Sequence, residues 1–179
     1  MISFSFKRRI KLDSCEYRIP QKAIIDSERI LLDFPSGQEP EEKIVFWAGI
    51  RKGIYSTITL VIVPDAITSP GSIVVSHEAN FSFVKTLSSR AVVQIAQVHT
   101  HPTSWVRHSP GDDKLAPFKV KGLLSIVVPS YCKKGMLPLR KCGVHRFDGK
   151  NFEHLPTRYV SEHFHILNGE QSELIDLRK

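Results

Sequence analysis

One stretch constrains this chain more than any other: an apolar run, Ala91-Val92-Val93-Gln94-Ile95-Ala96-Gln97-Val98, followed by His99-Thr100-His101-Pro102 and then by Ser109-Pro110-Gly111-Asp112. The apolar run reads as a buried strand. Successive strand side chains point to opposite faces, so His99 and His101 project from one face and Thr100 from the other. Two imidazoles side by side make half of a tetrahedral zinc site. Asp112, carried over by the next loop, would supply a third ligand and leave the fourth position open for water, as in a catalytic rather than a structural zinc centre. Each half also has a plainer meaning. Most H-x-H pairs bind nothing, and Ser109-x-x-Asp112 is an ordinary capping box with Pro110 suited to the first helical position.

At this spacing, H-x-H-x7-S-x-x-D, the two halves together resemble the JAMM motif of the JAB/MPN metalloprotease family. That fingerprint includes an upstream glutamate before a strand rich in small residues, with a glycine seven positions later. Glu42 and Gly49 stand in that relation here. Val45 replaces the glycine often found three positions after the glutamate, and Glu41 and Glu39 lie close by, so spacing alone selects Glu42. The resemblance covers roughly residues 20 to 156. It implies an α/β fold of the cytidine-deaminase-like kind, a mixed β-sheet sandwiched by helices, forming a single domain over residues 1–179 with 157–179 as a C-terminal extension. All five expected polar residues are present, unlike in the metal-free scaffold members of that family.

The resemblance also implies chemistry. His99, His101 and Asp112 hold one Zn²⁺ with its water, Glu42 is the general base, and Ser109 donates a hydrogen bond to the reacting carbonyl oxygen. The bonds cut are those following the C-terminal tail of a ubiquitin-like protein, in deconjugation or precursor processing. Short stand-alone members accompany bacterial ubiquitin-like conjugation systems, some in antiphage defence. Two other functions stay open: a zinc hydrolase acting on a small molecule or a sulfur-carrier adduct, and a non-catalytic MPN-type binding module.

Composition fits one soluble globular domain: 179 residues with 41% hydrophobic and 24% charged residues. No apolar run approaches the roughly 18 residues that span a bilayer, and the start, with Lys7-Arg8-Arg9 after a few apolar residues, does not read as a secretory signal. A cytoplasmic location without a membrane partner is expected. Three cysteines, Cys15, Cys132 and Cys142, lack a C-x-x-C and are expected as free thiols, a Cys132–Cys142 bridge being the alternative. The net charge of +7 suits a solvated surface first, an acidic protein partner second and nucleic acid third.

Strands are expected at Ser3 to Leu12, Ile44 to Ile50, Thr57 to Val63, the histidine run, Leu123 to Val128, and in a hairpin around Asp148-Gly149. Helices are expected from Pro20 to Asp33, from Ser76 to Ser89 with Ala79, Phe83, Val84 and Leu87 inward, and from Ser109 to about Phe118. Pro64 to Gly71 reads as a loop, and the last twenty residues as polar and weakly patterned. Other metal candidates are weaker. His77-Glu78 begins like H-E-x-x-H but meets Phe81 where the second histidine belongs, so both read as first-turn helix residues. His163-Phe164-His165 repeats the H-x-H spacing without a following S-x-x-D. His108 reads as an exposed loop histidine within reach of substrate, and Asp113 as exposed or as a neighbour of the ligands.

Overall fold

The structure, a computed structural model, describes residues 14–179 except Pro35, Pro117 and the side chains of Lys114 and Leu115. The strand expected at Ser3 to Leu12 lies outside these residues. In chain order the elements are β1 (Glu16–Pro20), α1 (Gln21–Leu31), β2 (Ile44–Lys52), β3 (Tyr55–Val63), β4 (Ala66–Ser69), β5 (Ser72–Val75), α2 (His77–Ser89), β6 (Val93–Thr100) and α3 (Pro110–Leu115). They continue with β7 (Leu124–Val128), β8 (Gly143–Phe147), β9 (Phe152–His154), α4 (Thr157–His163), β10 (Phe164–Leu167) and β11 (Glu173–Asp176). The main sheet is mixed, in the order β10-β1-β3-β2-β6-β7-β8-β9, while β4 and β5 form a separate hairpin.

Alternation along β2 builds the two cores. Val45 and Trp47 face one way and pack with Ala23, Ile24, Ile30 and Leu31 of α1. Ile44, Phe46 and Ala48 face the other way and pack with Phe83 of α2. The indole N–H of Trp47 donates to Ser27 Oγ (2.8 Å), whose own hydroxyl donates to the Ala23 carbonyl, so the buried polar groups under α1 satisfy one another. The sheet therefore carries a helix on each face, and the fold is mixed α/β.

Gly49 sits where β2 bulges against β3. A Cβ there would stand 1.9 Å from the Thr57 carbonyl oxygen, so only glycine permits this approach. The histidine strand β6 runs antiparallel to β2 and parallel to β7, which puts it in the middle of the sheet.

Several expectations are corrected. Pro64 to Gly71 is not all loop: Ala66–Ser69 pairs antiparallel with Ser72–Val75, a short ribbon whose polar residues and exposed Ile67 hid the alternation. Val84 points outward, 45% exposed, while Ala79 and Phe83 are buried and Leu87 packs against the Phe83 core, as expected. Helix α3 stops at Leu115, three residues short of Phe118 and before Pro117, whose ring disfavours helix in the residue preceding it. The C-terminal twenty residues are not featureless. Val160 and Phe164 join the α1-side core, β10 pairs with β1, and β11 pairs with β3 beyond the end of β1. Among the described residues, no helix is long and apolar enough to cross a membrane.

Candidate metal centre

His99 ends up on the α2 face of the sheet, opposite Ile44 of β2, while Thr100 faces the other way and accepts a hydrogen bond from the Lys43 N–H. His101 follows directly. Its N–H donates to the Val128 carbonyl, and its own carbonyl accepts from Tyr131, so backbone bonds to the segment after β7 hold the turn. The loop then crosses β8 so closely that a Cβ at Gly143 would meet the Val106 carbonyl oxygen at 1.7 Å. It returns as α3, capped by Ser109.

The capping box is real and it aims the carboxylate. Ser109 Oγ accepts from the Asp112 N–H (3.1 Å), and the Ser109 N–H donates to Asp112 Oδ2 (2.6 Å). Asp112 is thereby held with Oδ1 3.5 Å from His99 Nε2 and Oδ2 3.1 Å from His101 Nε2. The three side chains each offer a ligand atom within 4.8 Å of the others. The plain reading of S-x-x-D and the metal-site reading thus describe the same geometry.

The imidazoles are set up as ligands. A carbonyl can only accept, so His101 Nδ1–H donates to the Trp105 carbonyl (3.0 Å), and Nε2, facing Asp112 Oδ2, is the ring position left to ligate a metal. His101 also stacks on the Trp105 ring. His99 Nε2 is buried without a hydrogen-bond partner among the described residues. A buried orphan nitrogen costs free energy unless something binds it. Burial lowers the basicity of His101, but Asp112 beside it outweighs this and leaves the imidazole easier to protonate than usual. Burial would also raise the Asp112 pKa. The His101 and His99 contacts and the Ser109 N–H overcome it and hold this carboxylate well below the ordinary range. A cation at this point would compete with a proton for the same lone pairs, and the donor set, two imidazoles and a carboxylate, suits a divalent transition metal.

Glu42 lies two residues before the start of β2, with its backbone N–H bonded to the Ser69 carbonyl of β4. Its side chain is buried and lines a small cleft, about 60 Å³, together with His99, Ser109 and Asp112. Neighbouring Glu41 instead accepts from Thr68 Oγ1, and Glu39 is exposed, so of the three acids only Glu42 lines this cleft. Desolvation pushes the Glu42 pKa up to about 7, with His101 pulling down and Asp112 pushing up. Ile44, Ile73 and Val75 supply the apolar walls.

His108 is corrected: its side chain is only 5% exposed. Nδ1 bonds Asp113 Oδ1 (2.9 Å) and Nε2 bonds Ser125 Oγ (2.7 Å) on β7. Burial lowers its pKa, with Asp113 opposing. Asp113 is both exposed and tied to this shell. Gln97 and Ser125 were not singled out from sequence. Position i−2 from His99 on the same strand face was the available signal for Gln97; nothing local marked Ser125. His163 and His165 do not join the centre. Both bond Glu16, at 2.8 and 2.7 Å, at the far edge of the sheet. His77 and Glu78 lie in the first turn of α2, as expected. The three cysteines are free, and burial pushes the Cys132 and Cys142 thiols up to about 12.

No family model matches the chain. A protein named "Probable metalloprotease y4jG" from Sinorhizobium fredii (strain NBRC 101917 / NGR234) is 28% identical over 130 residues, covering 70% of this chain and 79% of that one. The solution structure of protein DSY2949 from Desulfitobacterium hafniense shares the fold, with a TM-score of 0.54 at 16% identity over 91% of this chain and 94% of that chain. The chain thus shares a mixed α/β fold with a solved structure and sequence similarity with a protein named a probable metalloprotease, and its own His99, His101 and Asp112 form a cluster that could hold a metal.

Proposed function

We propose that this protein is a zinc-dependent peptidase of the JAMM type that hydrolyses the amide bond following the C-terminal tail of a ubiquitin-like protein. The observation that carries the reading is that the His99–His101–Asp112 cluster opens, through His99 and Asp112, on the cleft that Glu42 and Ser109 line. The buried, unpartnered His99 Nε2 and the Trp105-fixed His101 fit a His₂Asp zinc shell. Zinc bound there would polarise the substrate carbonyl and make water a nucleophile near neutral pH.

The chain's own groups supply the rest. Glu42, poised near neutrality by burial, takes a proton and delivers it to the leaving amine. The Ser109 oxygen already accepts from the Asp112 N–H, so its own hydroxyl proton is free to donate to the carbonyl oxygen as charge develops. The cleft is small, which suits the slender backbone of a tail ending in glycine. The β4–β5 hairpin borders it through Ser72, Ile73 and Val75, and an extended tail would pair along that ribbon. The same small volume is what favours the second reading, hydrolysis of a small molecule or sulfur-carrier adduct.

The test is a panel of ubiquitin-like fusions incubated with zinc-loaded protein, with and without chelator. Chelator-sensitive cleavage after the terminal glycine is expected. Chelator-sensitive hydrolysis of small amides or thioesters, every fusion staying intact, overturns it in favour of the second reading. Absence of stoichiometric metal points to a binding module.

A further inference from the structure

Gln97 lies two residues before His99 on β6, is 3% exposed, and lines the same cleft. Its side-chain orientation follows from a chain of hydrogen bonds that begins at the surface. The Asp113 carboxylate can only accept, so His108 Nδ1 carries the proton it donates. In the neutral imidazole Nε2 is then an acceptor, and Ser125 Oγ–H donates to it. With its proton committed, Ser125 Oγ can only accept from Gln97, and the Gln97 Nε2–H does donate to it at 3.0 Å. The amide is therefore fixed with nitrogen toward Ser125. Its Oε1 is left buried and without a partner among the described residues. A buried acceptor at the edge of a reaction cleft is a place for a donor brought by a ligand.

We propose that Gln97 is a substrate-binding residue whose Oε1 accepts a hydrogen bond from a backbone N–H of the peptide lying in the cleft, with Ser125, His108 and Asp113 as positioning residues that hold the amide in that orientation. This rests on the peptidase reading above. It adds a polarity requirement to it: the cleft selects a chain that carries an N–H at that point over an isostere that carries none.

The probes are acetyl-glycylglycine N-methylamide and analogues in which one N–H at a time is replaced by an ester oxygen. Binding is measured by titration to zinc-free and zinc-loaded protein, and hydrolysis by mass spectrometry. One analogue is expected to bind wild-type protein about tenfold more weakly than the parent, the worth of one hydrogen bond. Gln97→Leu should weaken the parent by the same factor and leave that one analogue unchanged, with zinc content unaltered. Ser125→Ala, a smaller change, should give a partial loss with the same selectivity, guarding against misfolding of the Gln97 variant. Equal losses on every probe, or none on the parent, overturn the proposal, since a purely structural glutamine or one bonded only to water would behave so. If the binding pattern holds but nothing is hydrolysed, the peptidase reading falls and the Gln97 assignment stands.

Discussion

This chain contains the H-x-H spacing twice, and the two copies meet different fates. His99 and His101 each keep a ring nitrogen facing a carboxylate that the Ser109 capping box has oriented, and both are 5% exposed. His163 and His165, 24% and 48% exposed, are both spent on the two oxygens of Glu16, where they clamp the end of α4 and strand β10 to β1. Spacing produces adjacent imidazoles in both places. Only the first pair has burial, a carboxylate held by a helix cap, and an orphan lone pair, so it can gain from a cation, while the second has already satisfied itself.

The sharpest way to break this contrast is metal analysis. Wild-type protein should hold about one zinc per chain, and the double variant His99→Ala/His101→Ala none, with hydrolysis lost. Full occupancy in that variant, or loss of zinc in His163→Ala/His165→Ala, would reverse the two roles.

Next in size is Glu42→Gln. Zinc should stay bound while the rate falls by ~10²–10⁴-fold, the worth of a general base; Glu41→Gln should change the rate little, and equal losses in both variants would undo the distinction drawn from their side-chain directions. The same substitution should stabilise the metal-free protein. Glu42 has a folded pKa of about 7 against an ordinary 4.5, so the folded state holds the proton more tightly and stability falls as pH rises from 4.5 through 7. Glu42→Gln removes that penalty. Urea midpoints should show a gain on the order of 1–3 kcal/mol at pH 8 that shrinks towards pH 5. A gain independent of pH would show that Glu42 is not the group responsible.

Ser109 joins cap and chemistry, and Ser109→Ala should separate them. Loss of the cap costs about 1 kcal/mol, whereas loss of the hydroxyl donor slows hydrolysis ~100- to 1,000-fold. Rate loss without destabilisation would mean the cap is dispensable; the reverse would remove Ser109 from the reaction. The smallest effect is expected at the second pair: His165→Ala should leave zinc content and rate unchanged and move the melting temperature only slightly, because the hydrogen bond to Glu16 that it breaks lies at a half-exposed imidazole.

Much of the site was legible because its signals are local. A strand alternates, so His99 and His101 share a face; a capping box spans three residues, so Ser109 and Asp112 meet whatever the rest of the chain does. Glu42 was reachable only through its spacing to Gly49, and the structure supplies a reason for that glycine: the bulge against Thr57 at the other end of β2, not any contact with the metal centre. His108 was misread as exposed because its burial comes from Ser125, Phe152 and His145, which lie at least seventeen residues away. The β4–β5 ribbon and the C-terminal strands escaped for a related reason: each is four residues long, too short for its alternation to stand out, and the C-terminal pair joins an existing sheet.

By itself the sequence determined the strand carrying two imidazoles, the capped turn carrying a carboxylate, and the candidate chemistry of that donor set, since each depends on torsions and hydrogen bonds within a few residues. The tertiary structure alone decided which H-x-H pair keeps free lone pairs, which of three neighbouring acids is desolvated towards neutrality, and which way the Gln97 amide points. These depend on what is packed around a group, and burial and partner choice are properties of the folded neighbourhood that no short stretch of chain encodes.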